Sequence, residues 1–141
     1  MPQKTNQNLI LGNTSRHLFT YQQWLPSKFL LKAQSKYEIP LLGNNNVFLG
    51  DIFSSQDNNP AAPMSAGLFR LNNGDPLTYA YKFDEMKVIL EGEFHISDTT
   101  GQEVVARPGD ILYIPNGSTL TFTTPGTGLA YYVGQRNEGE A

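Results

Sequence analysis

From residue 29 to residue 134 the chain is a succession of short apolar runs separated by Gly- and Pro-bearing breaks. Runs rich in Val, Ile, Leu, Phe and Tyr predict strands at Phe29–Ala33, Val47–Phe53, Ala66–Leu71, Leu77–Lys82, Met86–Ile96, Gln102–Ala106, Asp110–Ile114, Thr119–Thr123 and Gly128–Gly134. After residue 40 no segment holds the 3.6-residue apolar period of a helix for long enough to form one. The breaks carry turn chemistry. "SDTTGQ" (97–102) predicts a hairpin with Gly101 at positive φ. In "RPGD" (107–110) Pro108 sets φ and Gly109 permits the reversal, and "PNGS" (115–118) repeats that chemistry one strand later. "SSQDNNPAAP" (54–63) is a polar loop with two prolines. Short strands at this spacing predict one all-β domain, a sandwich or a barrel. Met1 to Arg16 is rich in Asn, Gln and Thr, so residues 1–28 are expected to form an arm or accessory strand, 29–136 the barrel, and 137–141 a disordered tail.

Composition narrows the function classes. At 141 residues the chain can bury one sizeable core, and 39% hydrophobic against 16% charged residues suits a folded domain. The ten Lys and Arg are scattered and the net charge is −3, so there is no basic stripe for nucleic acid. Without cysteine there are no disulfides, thiolate metal sites or cysteine nucleophiles. No run approaches the ~20 apolar residues that cross a bilayer, and "MPQKTNQNLILG" has too brief an apolar patch for a signal peptide. The expectation is a cytoplasmic protein with neither membrane nor nucleic-acid partners.

The order of the turns resembles the cupins, small β-barrels of the double-stranded β-helix or jelly-roll type. Their second motif is Gly, five residues, Pro, one residue, Gly, two residues and His. Here it reads Gly109, "DILYI", Pro115, Asn116, Gly117, "ST" and Leu120. Their first motif ends on Glu, six residues and Gly, matched by Glu85, "MKVILE" and Gly92, and its His-x-His pair falls on Tyr79 and Tyr81. Residues 47–135 are most similar to the C-terminal cupin of ethanolamine-utilisation (EutQ-like) proteins, which share the Asp-Glu before the long strand and an aliphatic residue at the last ligand position. Phe83 and Lys87 depart from that subgroup, which usually has Tyr and an acidic residue there. The N-terminal part does not look like theirs, so a role in ethanolamine metabolism does not carry over.

An ordinary cupin centre, the resemblance implies, binds a transition metal through three His and one Glu. This chain has two histidines, His17 and His95, neither at a motif position; His17 falls in the arm and His95 near a hairpin tip, where surface roles are expected. Neutral tyrosine, with a pKa near ~10, is a poor ligand, and Leu120 cannot coordinate. No metal and no cofactor are expected. If Tyr79 and Tyr81 occupy the inward ligand positions that the resemblance implies, period-two alternation brings Glu85, Lys87 and Ile89 to the same inner face and points Met86, Val88 and Leu90 to the opposite one. The last motif adds Leu120 and Phe122 to the inner surface. Phe69 is counted in the pocket wall, although the alternation leaves open which way Arg70 points. Two phenols, a carboxylate and an ammonium on an apolar wall make a small-molecule site. The plain alternative is a rim ion pair worth ~0–1 kcal/mol beside two packing tyrosines. Asp84 belongs to the other face, in a turn or strand-edge contact, and Glu91 and Glu93 are read as solvated. No Ser-His-Asp arrangement or phosphate-binding glycine fingerprint has a supporting context.

Three functions fit. The first is a metal-independent isomerase, lyase or cyclase acting on an enolisable carbonyl compound, with Glu85 as acid–base group, Tyr79 and Tyr81 as hydrogen-bond donors and Lys87 orienting the substrate. The second is a module that binds a small metabolite without changing it. The third is a metallo-cupin with an unorthodox ligand set. The resemblance also implies a homodimer formed through a sheet face, for which Val88 and Leu90 are suited.

Overall fold

Strands form almost everywhere the period-two runs predict them. In the computed structural model, which describes residues 25–43 and 45–141, they are β1 (Val47–Ser54), β2 (Ser65–Asn72), β3 (Leu77–Ala80), β4 (Glu85–Gly92), β5 (Phe94–Asp98), β6 (Glu103–Ala106), β7 (Ile111–Ile114), β8 (Thr119–Thr123) and β9 (Thr127–Gly134). One helical turn, α1, spans Ala33–Lys36. The chain divides into two units, 1–33 and 34–141, and all nine strands lie in the second. Most of the expected arm, including His17, lies outside the described residues. No helix among the described residues is long and apolar enough to cross a membrane.

Two strand predictions are corrected. Phe29–Ala33 is not a strand: Lys32 adopts a φ of 55°, which breaks an extended chain, Phe29 and Leu31 are exposed, and α1 begins at Ala33. The long run Met86–Ile96 is two strands in different sheets. One sheet has the order β1-β2-β9-β4-β7 and the other β3-β8-β5-β6, every neighbour antiparallel. Between β4 and β5 the chain crosses from the first sheet to the second at Gly92, whose φ is 67°. A Cβ there would overlap the Thr127 carbonyl. Apolar periodicity carries no sign of such a corner.

Between the sheets lies the core, a jelly-roll interior. Its centre is aromatic: Phe69 stacks on Phe94 at 5.5 Å between ring centroids, and Phe122 meets Phe69 edge-on at 5.6 Å. Leu71, Ile89, Ala130 and Tyr132 are buried around them. In β4 burial alternates as predicted, with Glu85, Lys87 and Ile89 inside and Met86 exposed. Arg70 is partly exposed, its guanidinium reaching Thr127 Oγ1 at 3.5 Å, which settles Phe69 as the inward residue of the pair. Near the first sheet's edge, Leu42 donates to the Val47 carbonyl (2.8 Å) and Leu49 to that of Pro40 (3.0 Å). Residues 137–141, expected as a disordered tail, are tied to β1 by the Gly139 amide on Asp51 (2.8 Å).

Gly92 has both a left-handed φ and no room, whereas Gly101 has a φ of 93° and open space around it. Gly92→Ala is expected to destabilise by about 2 kcal/mol or more and Gly101→Ala by clearly less. Urea midpoints of the two variants check this; equal losses would mean that the corner is not sterically locked.

Candidate active site

A clasped backbone delivers the site residues. The Tyr81 amide donates to the Ser118 carbonyl and the Gly117 amide to the Tyr81 carbonyl, both at 2.8 Å, so the "PNGS" turn holds the strand end. Asp84 faces outward, as expected, and its carboxylate accepts from the Asn116 amide at 2.8 Å, while its carbonyl accepts from Gln135 at 2.9 Å. Those bonds fix the start of β4, so that Glu85 and Lys87, two residues apart, enter the same face.

Lys87 Nζ donates to Glu85 Oε1, and both residues are 4% exposed. The ammonium also sits 5.0 Å from the ring centroids of Phe69 and Tyr132. Among the described residues the Glu85 carboxylate is its one hydrogen-bonding partner. Burial pushes the Lys87 pKa below that of an ordinary lysine; Glu85 opposes the shift and Arg136 adds to it. Tyr79 and Tyr81 meet edge-on at 4.8 Å, and Tyr81 packs against Phe83 at 5.7 Å. Burial first, and the Glu85 charge second, raise both phenol pKa values, so both stay protonated donors at neutral pH.

These groups surround a lumen cavity of about 50 Å³. Of the predicted site residues, Phe69, Tyr79, Tyr81, Glu85, Lys87 and Phe122 line it, while Ile89 and Leu120 are buried in the core behind it. A wider, shallower concavity of about 450 Å³ lies on the second sheet beside His95, Ser97, Thr121 and Thr123. His95 is exposed there and bonded to Glu93 (2.9 Å), which also meets Arg107 at 3.3 Å, so Glu93 is engaged and not simply solvated. Among the described residues no buried charge lines that surface.

A second ion pair escaped the sequence reading. Arg136 makes two 2.8 Å contacts with the Asp51 carboxylate, which also accepts from the Tyr132 hydroxyl at 2.6 Å and the Gly139 amide at 2.8 Å. Burial alone would raise the Asp51 pKa, but hydrogen bonds from Arg136, Gly139 and Tyr132 prevail and lower it from 3.8 to about 2. The Arg136 guanidinium carbon lies 5.6 Å from the Tyr132 centroid, so that ring has both Lys87 and Arg136 nearby. Alternation along β1 and β9 could have placed Asp51 and Tyr132 inside. For Arg136, beyond the last strand, there was no signal.

At the cupin ligand positions stand two high-pKa phenols, Leu120, and a carboxylate already engaged by an ammonium. This donor set does not fit a divalent cation. No cluster of three or more His, Asp or Glu suited to a metal occurs among the described residues.

The family of ethanolamine utilisation protein EutQ matches residues 42–137, which is more than half of the chain. The chain belongs to the EutQ family. It is 33% identical over 87 residues to acetate kinase EutQ of Salmonella typhimurium and 32% identical to that of Escherichia coli. Each alignment covers 62% of this chain but only 36% and 35% of those proteins, so the chain matches about a third of their length. Among solved structures, ethanolamine utilization protein Q of S. typhimurium superposes with a TM-score of 0.55 at 32% identity, covering 63% of this chain and 68% of that one. KdgF from a Halomonas species superposes with a TM-score of 0.59 at 12% identity, covering 79% and 96%, a likeness of fold alone. The cupin barrel that the turns implied is thus the fold of this EutQ-family chain.

Asp51→Asn leaves Arg136 buried without a counter-charge and is expected to cost about 3–5 kcal/mol at neutral pH. A carboxylate with a depressed folded pKa contributes stability above its unfolded value that is lost as pH falls through the folded one. For Asp51 that window runs from pH 3.8 down to about 2 and amounts to about 2 kcal/mol. Denaturant titrations of both proteins across this range should show the gap between them narrowing toward pH 2; a constant gap would contradict the pairing.

Proposed function

We propose that this EutQ-family cupin is a metal-independent enzyme that moves a proton on a small enolisable carbonyl compound, as an isomerase, lyase or cyclase does. The observation that carries the reading is the Glu85–Lys87 pair in the apolar lumen. Desolvating each ion costs several kcal/mol, and apolar side chains of similar volume would fold the barrel as well or better. A pair kept there at such cost is best explained by chemistry. Glu85 is the proton-transfer group, within reach of Lys87 and near both phenols. Tyr79 and Tyr81, protonated at neutral pH, donate to the oxygen that gains charge as the α-proton leaves. Their apolar surroundings strengthen those bonds by excluding water. The kinase activity named for the longer relatives is theirs and is not proposed for this chain.

The test needs no prior substrate. Short aldehydes and ketones incubated with the protein in heavy water should exchange their α-protons, read by NMR, and Glu85→Gln should slow the exchange about a hundredfold or more. Full exchange by the variant would overturn the assignment. A tight complex from which the compound returns with its protons unexchanged would make the chain a binding module instead.

We also propose a homodimer through the outer face of β7-β4-β9. Met86 pairs with Tyr113 and Val133, and Val88 with Ile111 and Tyr131, which makes one apolar patch. Ile111 is 79% exposed and Tyr113 61%, an unusual amount of apolar side chain to leave in water. Ile111→Glu should convert a dimer into a folded monomer in light scattering. A monomeric parent protein would refute the interface.

A further inference from the structure

Lys87 is placed differently from the exposed Lys28, Lys36 and Lys82. It is inside the barrel, at the wall of the cavity, with one hydrogen-bonding partner and two aromatic rings. Its partner is also the only carboxylate side chain lining that cavity among the described residues. We propose that Lys87 is a nucleophile toward small aldehydes and ketones, forming a carbinolamine and then an imine through Nζ while Glu85 carries the protons. This deepens the reading given above and rests on it, because it adds covalent attachment at Lys87 to the proton transfer there assigned to Glu85.

The pairing supplies both partners of the reaction. Moving one proton along the Lys87–Glu85 hydrogen bond converts ammonium and carboxylate into amine and carboxylic acid. Burial favours that neutral form because it leaves no charge in the apolar lumen. The two ring faces and the Glu85 charge favour the ammonium; desolvation and the Arg136 charge oppose it and prevail, so the lysine titrates low. Tyr79, Tyr81 and Tyr132 are the other titratable groups around it, all held neutral at physiological pH.

The step balances without any further reagent. The Nζ lone pair forms a bond to the carbonyl carbon as the Glu85 acid gives its proton to the carbonyl oxygen. The resulting nitrogen then returns a proton to the Glu85 carboxylate. The hydroxyl leaves as water, taking that proton back, while the C=N bond closes and the last N–H proton goes to Glu85. In sum, one carbonyl compound and one lysine amine become one imine and one water, with Glu85 ending as the acid it began as. An imine that is protonated again acidifies its α-hydrogens, the position at which a Glu85-dependent exchange would act.

The lumen sets a size limit. An engineered apolar cavity of about 150 Å³ takes benzene, so one of about 50 Å³, a third of that volume, has no room for an aromatic ring and favours the shortest carbonyl compounds. The test uses the full chain at pH 7 with propanal, with benzaldehyde as the oversized comparison, each in the presence of sodium cyanoborohydride. Peptide mass spectrometry then locates the alkylated lysine. The expected result is propylation of Lys87 at least about tenfold faster than of the exposed Lys28 or Lys82, and little reaction of Lys87 with benzaldehyde. The paired variant carrying Glu85→Gln and Lys87→Met removes both charges together, and should lose the adduct without leaving a lone buried ion. Mapping the unaltered protein does not depend on that variant folding. Propyl groups confined to surface lysines, or a Lys87 that reacts equally with benzaldehyde, would overturn the proposal. If Lys87 stays free while Glu85-dependent exchange persists, the imine alone is wrong; if exchange is absent as well, the acid–base reading fails with it.

Discussion

An ammonium and a carboxylate share the inside of an apolar barrel, and each is tolerated there only because of the other. Neither Glu85 nor Lys87 could be buried singly without a penalty comparable to the stability of a whole domain. Their spacing of two residues along β4 is what makes the pairing automatic, since one strand presents both to the same face. The same contact decides the character of the site. It occupies the carboxylate that a cupin metal would need.

Around that pair the barrel is built to hold charge away from water. Tyr132 stands between the two buried cations, its ring close to Lys87 and Arg136 and its hydroxyl on Asp51. The Asp51–Arg136 bridge joins β1 to the chain after β9, and the Gly139 amide adds a third anchor to the same carboxylate. Among the described residues one buried nitrogen of Arg136, Nε, has no hydrogen-bond partner. The Arg136 charge is also one of the causes that depress Lys87. A perturbed lysine facing a perturbed environment is the pattern that functional sites show more often than structural ones do.

The barrel was legible because its signals are local. Alternation fixed the faces of β4 and β8, and the glycine turns at Gly101, Gly109 and Gly117 all have the positive φ their motifs demand. What period two cannot see is where a strand leaves one sheet for another: β4 and β5 form one apolar run, and the corner is at Gly92, pressed against Thr127. Phe29–Ala33 shows the converse: its apolar run is broken by the φ of 55° at Lys32. In the lumen Tyr79, Tyr81, Glu85, Lys87 and Phe122 follow from motif position and alternation, whereas Phe69 is settled as inward only by the contact of Arg70 with Thr127. Asp51 and Arg136 do not follow from either, because their meeting depends on a contact across 85 positions in the sequence. Ile89 and Leu120 are buried in the core but do not line the cavity, a distinction that a binary pattern cannot make.

Whether Lys87 is a buried amine held by Glu85 is tested most directly by nitrogen-15 NMR of the lysine side chains across the alkaline range. Lys87 Nζ is expected to titrate below the ordinary lysine range, and its shift to respond to Glu85→Gln. A Lys87 that titrates with the surface lysines and ignores the change at Glu85 would contradict the buried pair.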